Sequence, residues 1–272
     1  MSDYTLYPTG KQQEILDFIY KYRFVNSIQI QKVLKHKDRR RINSWLKQLV
    51  DYKYLGRIYS HKLLENTKPA IYYLSYTGIA YIREKKKFEP KEVKKFYEDK
   101  NKSKTFINHC LSIVDIMLER KKSENSTEYV YEFFPKEVLT KHQYLKEIKP
   151  DLYFEIHWVK KNVNKKRYFV DLFDAHVPGY ALRYRVKQYI EFRDSYEWRD
   201  FGNGSKFPYV FFILPNQQKL NRLAKHIQET LDKSYDVEDM VFMLTTHEKV
   251  IKEGLAGDIW KVQFTEELDS LL

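Results

Sequence analysis

The chain has 272 residues, is 43% hydrophobic and contains only 8 Gly and 8 Pro; that is enough apolar content for a buried core, and it excludes wholesale disorder and fibrous repeats. A formal net charge of +12 points to a polyanionic partner, with nucleic acid ahead of an anionic membrane surface. The single cysteine, Cys110, excludes an internal disulfide and a cysteine zinc site. No stretch approaches the ~18–20 apolar residues of a membrane span and no leader segment is visible, so no membrane association and a cytoplasmic location are expected.

From the N-terminus, Thr9 precedes a helical pattern with Ile15, Leu16, Ile19 and Tyr22 on one face. Ser27 is expected to cap a second, short helix carrying Ile30, Val33 and Leu34, and Asp38 a third. The apolar set of the third is Ile42, Trp45, Leu46 and Leu49, at helical spacing. Its other face holds Arg39, Arg40, Arg41, Asn43, Ser44, Lys47 and Gln48. Residues 57–63 and 71–76 then read as two strands around a polar connection, and 79–87 as a further helix. Three helices followed by a two-stranded hairpin is the order of a winged helix. Such a domain lays its third helix in a DNA major groove, with the leading turn nearest the base edges. Arginines in that turn can grip guanine or clamp phosphate. Lys62 and Lys68 would flank or tip the wing and contact backbone phosphates.

Residues 83–104 are densely charged and interrupted by Pro90, which marks 89–104 as a charged, solvated linker with one exposed helical segment between domains at 1–88 and 105–272. Beyond it the pattern predicts a helix over 105–120 and strands over 128–134, 151–159 and 168–174. A helix over 180–195, a strand over 208–214, a helix over 217–231 and strands near 240–244 and 259–264 follow. This order implies a mixed sheet carrying helices, an α/β (α+β) architecture. It is also the core order of the PD-(D/E)xK nuclease-like fold.

That chemistry gathers carboxylates on adjacent strands to hold Mg2+, which prefers oxygen ligands. Asp151 follows Pro150 at the start of one strand and Asp171 lies on the next, matching the first two acids in type and order. The lysine expected two residues later is replaced by Phe173. A basic group could migrate to the following helix, where Arg183 and Lys187 share a face, and Glu155 could supplement Asp151 from the same strand face.

Several segments resemble the replication-relaxation family of bacterial plasmids and mobile elements. RRINSWLKQLVDYKYLGRIY followed by IYYLSYTGIAYI is similar to its winged helix, and NHCLSIVDIML to its His-x-Leu-x-x-x-Asp element, here His109, Leu111 and Asp115. KPDLYFEI resembles its Pro-Asp strand, YFVDLFDAH the next strand, and FPYVFFILP a later buried strand. Where the family commonly has Glu-x-Asp followed by Arg-Gly-Thr, this chain has Asp171, Phe173 and then Asp174-Ala175-His176.

The resemblance implies a role in replication, DNA relaxation or conjugative transfer, with double-stranded DNA as partner alongside replication or transfer proteins. Three functions follow as expectations. The first is a DNA-binding protein reading duplex through Arg39, Arg40, Arg41, Asn43, Ser44, Lys47, Gln48, Lys62 and Lys68. The second is a Mg2+-dependent endonuclease with Asp115, Asp151 and Asp171 as metal ligands and Asp151, Asp171 and Lys187 as catalytic groups. The third is a non-enzymatic transcription regulator or assembly factor, a homodimer in one version.

Overall fold

A computed structural model describes residues 7–60, 67–122, 124–141, 145, 147–160, 165–202, 206–233, 240–254 and 258–263. The chain divides into two compact units, Met1–Leu118 and Glu119–Leu272. Among the described residues there are ten α-helices and two sheets, and no helix is long and apolar enough to cross a membrane.

In the first unit, α1 (Gly10–Tyr22) starts where the Gln12 carboxamide accepts the Thr9 N–H at 2.9 Å, satisfying a backbone donor that the helix leaves unpaired. It buries Ile15, Leu16 and Ile19. A two-residue strand, β1 (Val25–Asn26), leads into α2 (Ser27–Val33). Asn26, rather than Ser27, caps α2, accepting from Ile28 and Gln29 N–H at 3.0 and 2.9 Å. Ser27 is instead buried, and its N–H donates to the Ala70 carbonyl at 3.1 Å. Helix α3 (Arg39–Asp51) is capped by Asp38, which accepts from Arg40 N–H at 2.8 Å, and buries Ile42, Leu46 and Leu49. Trp45 stays half-buried, with His36 edge-on at 5.3 Å. Strands β2 (Leu55–Ile58) and β3 (Ile71–Leu74) pair antiparallel, Leu55 opposite Leu74 and Arg57 opposite Tyr72, and β1 adds to the far edge of β3.

Helix α4 (Tyr76–Lys86) approaches the chain closely at Gly78, where an added Cβ would lie 2.1 Å from the Tyr54 carbonyl oxygen. The stretch expected to be a charged linker with one exposed helical segment is helical and also buries three side chains. It forms α5 (Pro90–Val93) and a 3-10 helix, Lys94–Asn101, with Val93, Phe96 and Asp99 buried. Asp99 takes the guanidinium of Arg23, which also donates to the Lys95 carbonyl at 3.2 Å and lies 4.7 Å from the Phe106 ring centre. Two apolar side chains and one buried ion pair dock a segment whose other residues are mostly exposed. The first unit ends within α6 (Lys104–Lys122), which buries Ile107, Val114, Met117 and Leu118.

The second unit is built on one six-stranded sheet in the order β4-β5-β6-β7-β8-β9. Its strands are β4 (Tyr129–Pro135), β5 (Leu152–Trp158), β6 (Lys166–Leu172), β7 (Tyr209–Leu214), β8 (Phe242–Thr246) and β9 (Lys261–Gln263). The first three run antiparallel, β6, β7 and β8 run parallel, and β9 closes antiparallel, so the mixed sheet of an α+β fold is as expected. Helices α7 (Gly179–Asp194) and α9 (Gln217–Leu231) form the crossovers, and α8 (Tyr196–Gly202) and α10 (His247–Glu253) are short additions. Leu182, Val186, Tyr189 and Phe192 of α7 and Leu220, Leu223 and Ile227 of α9 pack with Tyr153, Phe169 and Phe212 in one core. On the opposite face Phe154 stacks on Tyr168 at 4.5 Å, and Arg120 lies over the Tyr131 and Phe154 rings. Burial on both faces explains the unbroken apolar run of β7.

Candidate nucleic-acid interface and acidic pair

A groove of about 450 Å3 opens in the first unit between α3 and the β2–β3 hairpin. Arg39, Asn43 and Lys47 line one wall, because residues four apart on a helix fall in one stripe. Arg57, Tyr59 and Lys68 line the other, and the Arg57 guanidinium sits 4.7 Å from the Tyr59 ring centre. One acid, Asp51, is among the described lining residues, against the four cations Arg39, Lys47, Arg57 and Lys68. Arg39, Arg40 and Arg41 are all exposed, and no acid pairs with them among the described residues. The Arg41 guanidinium lies 5.6 Å from the Trp45 ring centre. A concave, cation-rich wall of this kind attracts a phosphate backbone.

In the second unit Asp151 and Asp171 meet at the ends of adjacent strands. Asp171 Oδ1 accepts Asp151 N–H at 3.2 Å, and Asp151 Oδ2 accepts Leu172 N–H at 3.0 Å. Arg185 of α7 grips Asp171 with Nε at 2.6 Å from Oδ2 and Nη2 at 3.1 Å from Oδ1, and the Tyr189 hydroxyl donates to Oδ2 at 2.9 Å. Burial works against the charge of Arg185, but the neighbouring Tyr189 and Asp171 outweigh it and hold the pKa above its ordinary value. Burial, with the Asp171 charge beside it, pushes the Tyr189 phenol well up, so Tyr189 stays a donor. Lys136 Nζ stands 3.9 Å from Asp151 Oδ1.

The family model for replication-relaxation proteins matches residues 16–205. The chain belongs to the replication-relaxation family. That match spans the groove and the acidic pair together. Comparison with curated proteins and with solved structures gives no match.

In this replication-relaxation protein the groove brings together Arg39, Asn43, Lys47 and Lys68 of the residues expected from sequence. Arg40, Arg41 and Ser44 are exposed on α3 but do not line the groove. Gln48 turns toward α1, where its Oε1 accepts from the buried Gln12 at 2.8 Å. Lys62 lies outside the described residues. Arg57 and Tyr59 were missed; their two-residue spacing, which puts both side chains on one face of an extended chain, is the signal that could have found them.

Lys187, Asp115 and Glu155 each have another partner in the structure. The cation from α7 is Arg185; Lys187 is exposed and pairs with Glu191 at 3.3 Å. Asp115 belongs to the first unit, where its carboxylate accepts Gln29 Nε2 at 2.8 Å and ties α2 to α6. Glu155 is held by the Tyr153 hydroxyl at 2.6 Å and Lys165 at 3.2 Å. Burial pushes the Glu155 carboxyl up, but those two hydrogen bonds, with the charges of Lys165 and Arg167, bring it below its ordinary value. Phe173 sets its ring edge-on to Phe212 at 5.3 Å, an apolar anchor in the position of the missing lysine.

Proposed function

We propose that the first unit of this replication-relaxation protein is a winged helix that binds double-stranded DNA in the replication or relaxation of a plasmid or mobile element. The observation that carries the reading is the groove, in which Arg39, Asn43 and Lys47 of α3 face Arg57 and Lys68 of the hairpin. Helix α3 would enter the major groove, with Asn43 offering its amide to a base edge and the four cations neutralising phosphates. Family membership and the net charge of +12 support the same partner. Replication or transfer proteins are then further partners of the assembled DNA complex.

The test is fluorescence anisotropy of the full chain on labelled duplex. Arg39→Ala with Lys47→Ala should weaken binding at least about tenfold, each phosphate or base contact being worth ~1–3 kcal/mol. Unchanged affinity would overturn the reading.

Asp151 and Asp171 do not fit Mg2+ in this arrangement. Both oxygens of Asp171 are taken by Arg185, one of them also by Tyr189. Mg2+ demands near-octahedral oxygen ligands, and Arg185 would have to leave first. The pair reads as a charge clamp between β6 and α7, and no step of DNA cleavage is derived from it.

A further inference from the structure

Strands β4 and β5 bring together a second polar cluster, at the other end of β5 from Asp151. Glu132 and Glu155 stand directly opposite each other in the antiparallel register, and His157 follows Glu155 two residues on, on the same face. Like charges in directly opposed positions weaken a strand pair. Glu155 is partly offset by Lys165, 3.2 Å from Oε2, and by Arg167, 3.5 Å from Oε1. The imidazole of His157 approaches both carboxylates, with Nε2 3.1 Å from Glu155 Oε2 and 3.4 Å from Glu132 Oε2. That nitrogen is buried and makes no hydrogen bond among the described residues. It points at two oxygens without donating to either.

The donor atoms of the three residues all lie within 4.8 Å of one another. Ligands bound to one ion at ~2.0–2.2 Å stand roughly 3.0–3.5 Å apart, which is the separation of Nε2 from both oxygens. One imidazole with two carboxylates suits zinc, whereas Mg2+ and Ca2+ prefer all-oxygen shells. We infer that Glu132, Glu155 and His157 form a Zn2+ site that neutralises the opposed carboxylates and fastens the edge strand β4 to β5. The Tyr153 hydroxyl on Glu155 Oε1 orients that ligand from behind, the usual task of a group outside the metal's own shell. Lys165 is half exposed and swings off Glu155 Oε2 when the ion arrives. Glu132, on the exposed side of the cluster, leaves the fourth position to water.

The test is isothermal titration of Zn2+ into the untagged, chelator-treated full chain, with Co2+ absorption as a second readout of tetrahedral coordination. The expected result is one saturable ion per chain. Its affinity should fall at least about tenfold in His157→Ala and in Glu132→Gln, and the Co2+ band should be lost. Circular dichroism checks that each variant folds; should His157→Ala not fold, Glu132→Gln decides, since that side chain is largely exposed. Absence of saturable uptake by the unmodified chain would overturn the site. Uptake that is the same in the variants would overturn it too, assigning the ion to other histidines.

Discussion

Arg185 reaches Asp171 through two nitrogens, at 2.6 and 3.1 Å, and so joins β6 to α7 across a junction where both side chains are largely buried. Removing one partner of a buried pair leaves the other charge without compensation, which costs about 3–5 kcal/mol. Arg185→Ala should therefore lower stability to urea by about 3 kcal/mol or more. Lys187→Ala, two residues away in an exposed pair with Glu191, should change it by less than about 0.5 kcal/mol. Equal effects would refute the clamp.

Asn43 and Gln48 are both polar residues of α3, but they have different work. Asn43 faces the groove, and Gln48 accepts a hydrogen bond from buried Gln12. Asn43→Ala should relax DNA sequence preference by ~1–3 kcal/mol at one base position and leave stability within about 0.5 kcal/mol. Gln48→Ala should do the reverse, costing ~1–2 kcal/mol of stability with duplex affinity unchanged. Competition binding and thermal unfolding of both variants separate the two outcomes, and a loss of preference in Gln48→Ala would contradict the assignment.

Gly78 is needed for close approach rather than for backbone freedom. A Cβ there meets a backbone oxygen, Tyr54 O, at 2.1 Å, and backbone cannot rotate away as a side chain can. Gly78→Ala should lose at least ~1–3 kcal/mol. Gly10→Ala, with nothing within 4 Å at the first turn of α1, should be neutral or gain a few tenths, less than the ~1 kcal/mol of a helix-interior glycine. Thermal unfolding of the two variants checks the contrast.

Three buried tyrosines set the alkaline limit. Burial raises the Tyr22 and Tyr168 phenols above the ordinary 10.0, Arg120 partly opposing this at Tyr168, and Tyr189 rises for the reasons given above. Above about pH 10 the unfolded chain loses protons that the folded chain keeps, so stability falls as pH rises. Below that value these groups contribute no pH dependence. Unfolding midpoints measured from about pH 9 to 11, alongside phenolate absorbance, should show stability falling while part of the tyrosine population stays protonated. A flat midpoint with every tyrosine titrating together would contradict it.

Much of the fold was legible because local signals and burial agree. Asp38 followed by Ile42, Leu46 and Leu49 gives α3 its start and its buried face, and the unbroken apolar run of β7 follows from cover on both sides. Strand β1 was not legible, since two residues carry no periodicity and pair only through the long-range contact with β3. Nor was the docking of 89–104, where Val93, Phe96 and Asp99 are outnumbered by exposed charges. At the acidic pair the strand order placed Asp151 and Asp171 together, as expected. Helical spacing alone favoured Arg183 and Lys187 over Arg185. Arg185 lies beside Val186 and one turn before Tyr189, and its partner is fixed only once β6 and α7 are packed. In the groove, the polar face of α3 was readable, but Arg57 becomes a wall residue only when the hairpin folds back toward that helix.

Entry of duplex DNA into the groove between α3 and the hairpin makes binding steeply dependent on salt. Each neutralised phosphate contributes a slope of about −0.9 to log K against log salt. Combining Lys47→Ala with Arg57→Ala, one from each wall, should flatten that slope by about two contacts. Lys225→Ala, exposed on α9 of the other unit, should leave it unchanged. Identical slopes for the unmodified chain and the two-wall variant would contradict DNA entry into this groove.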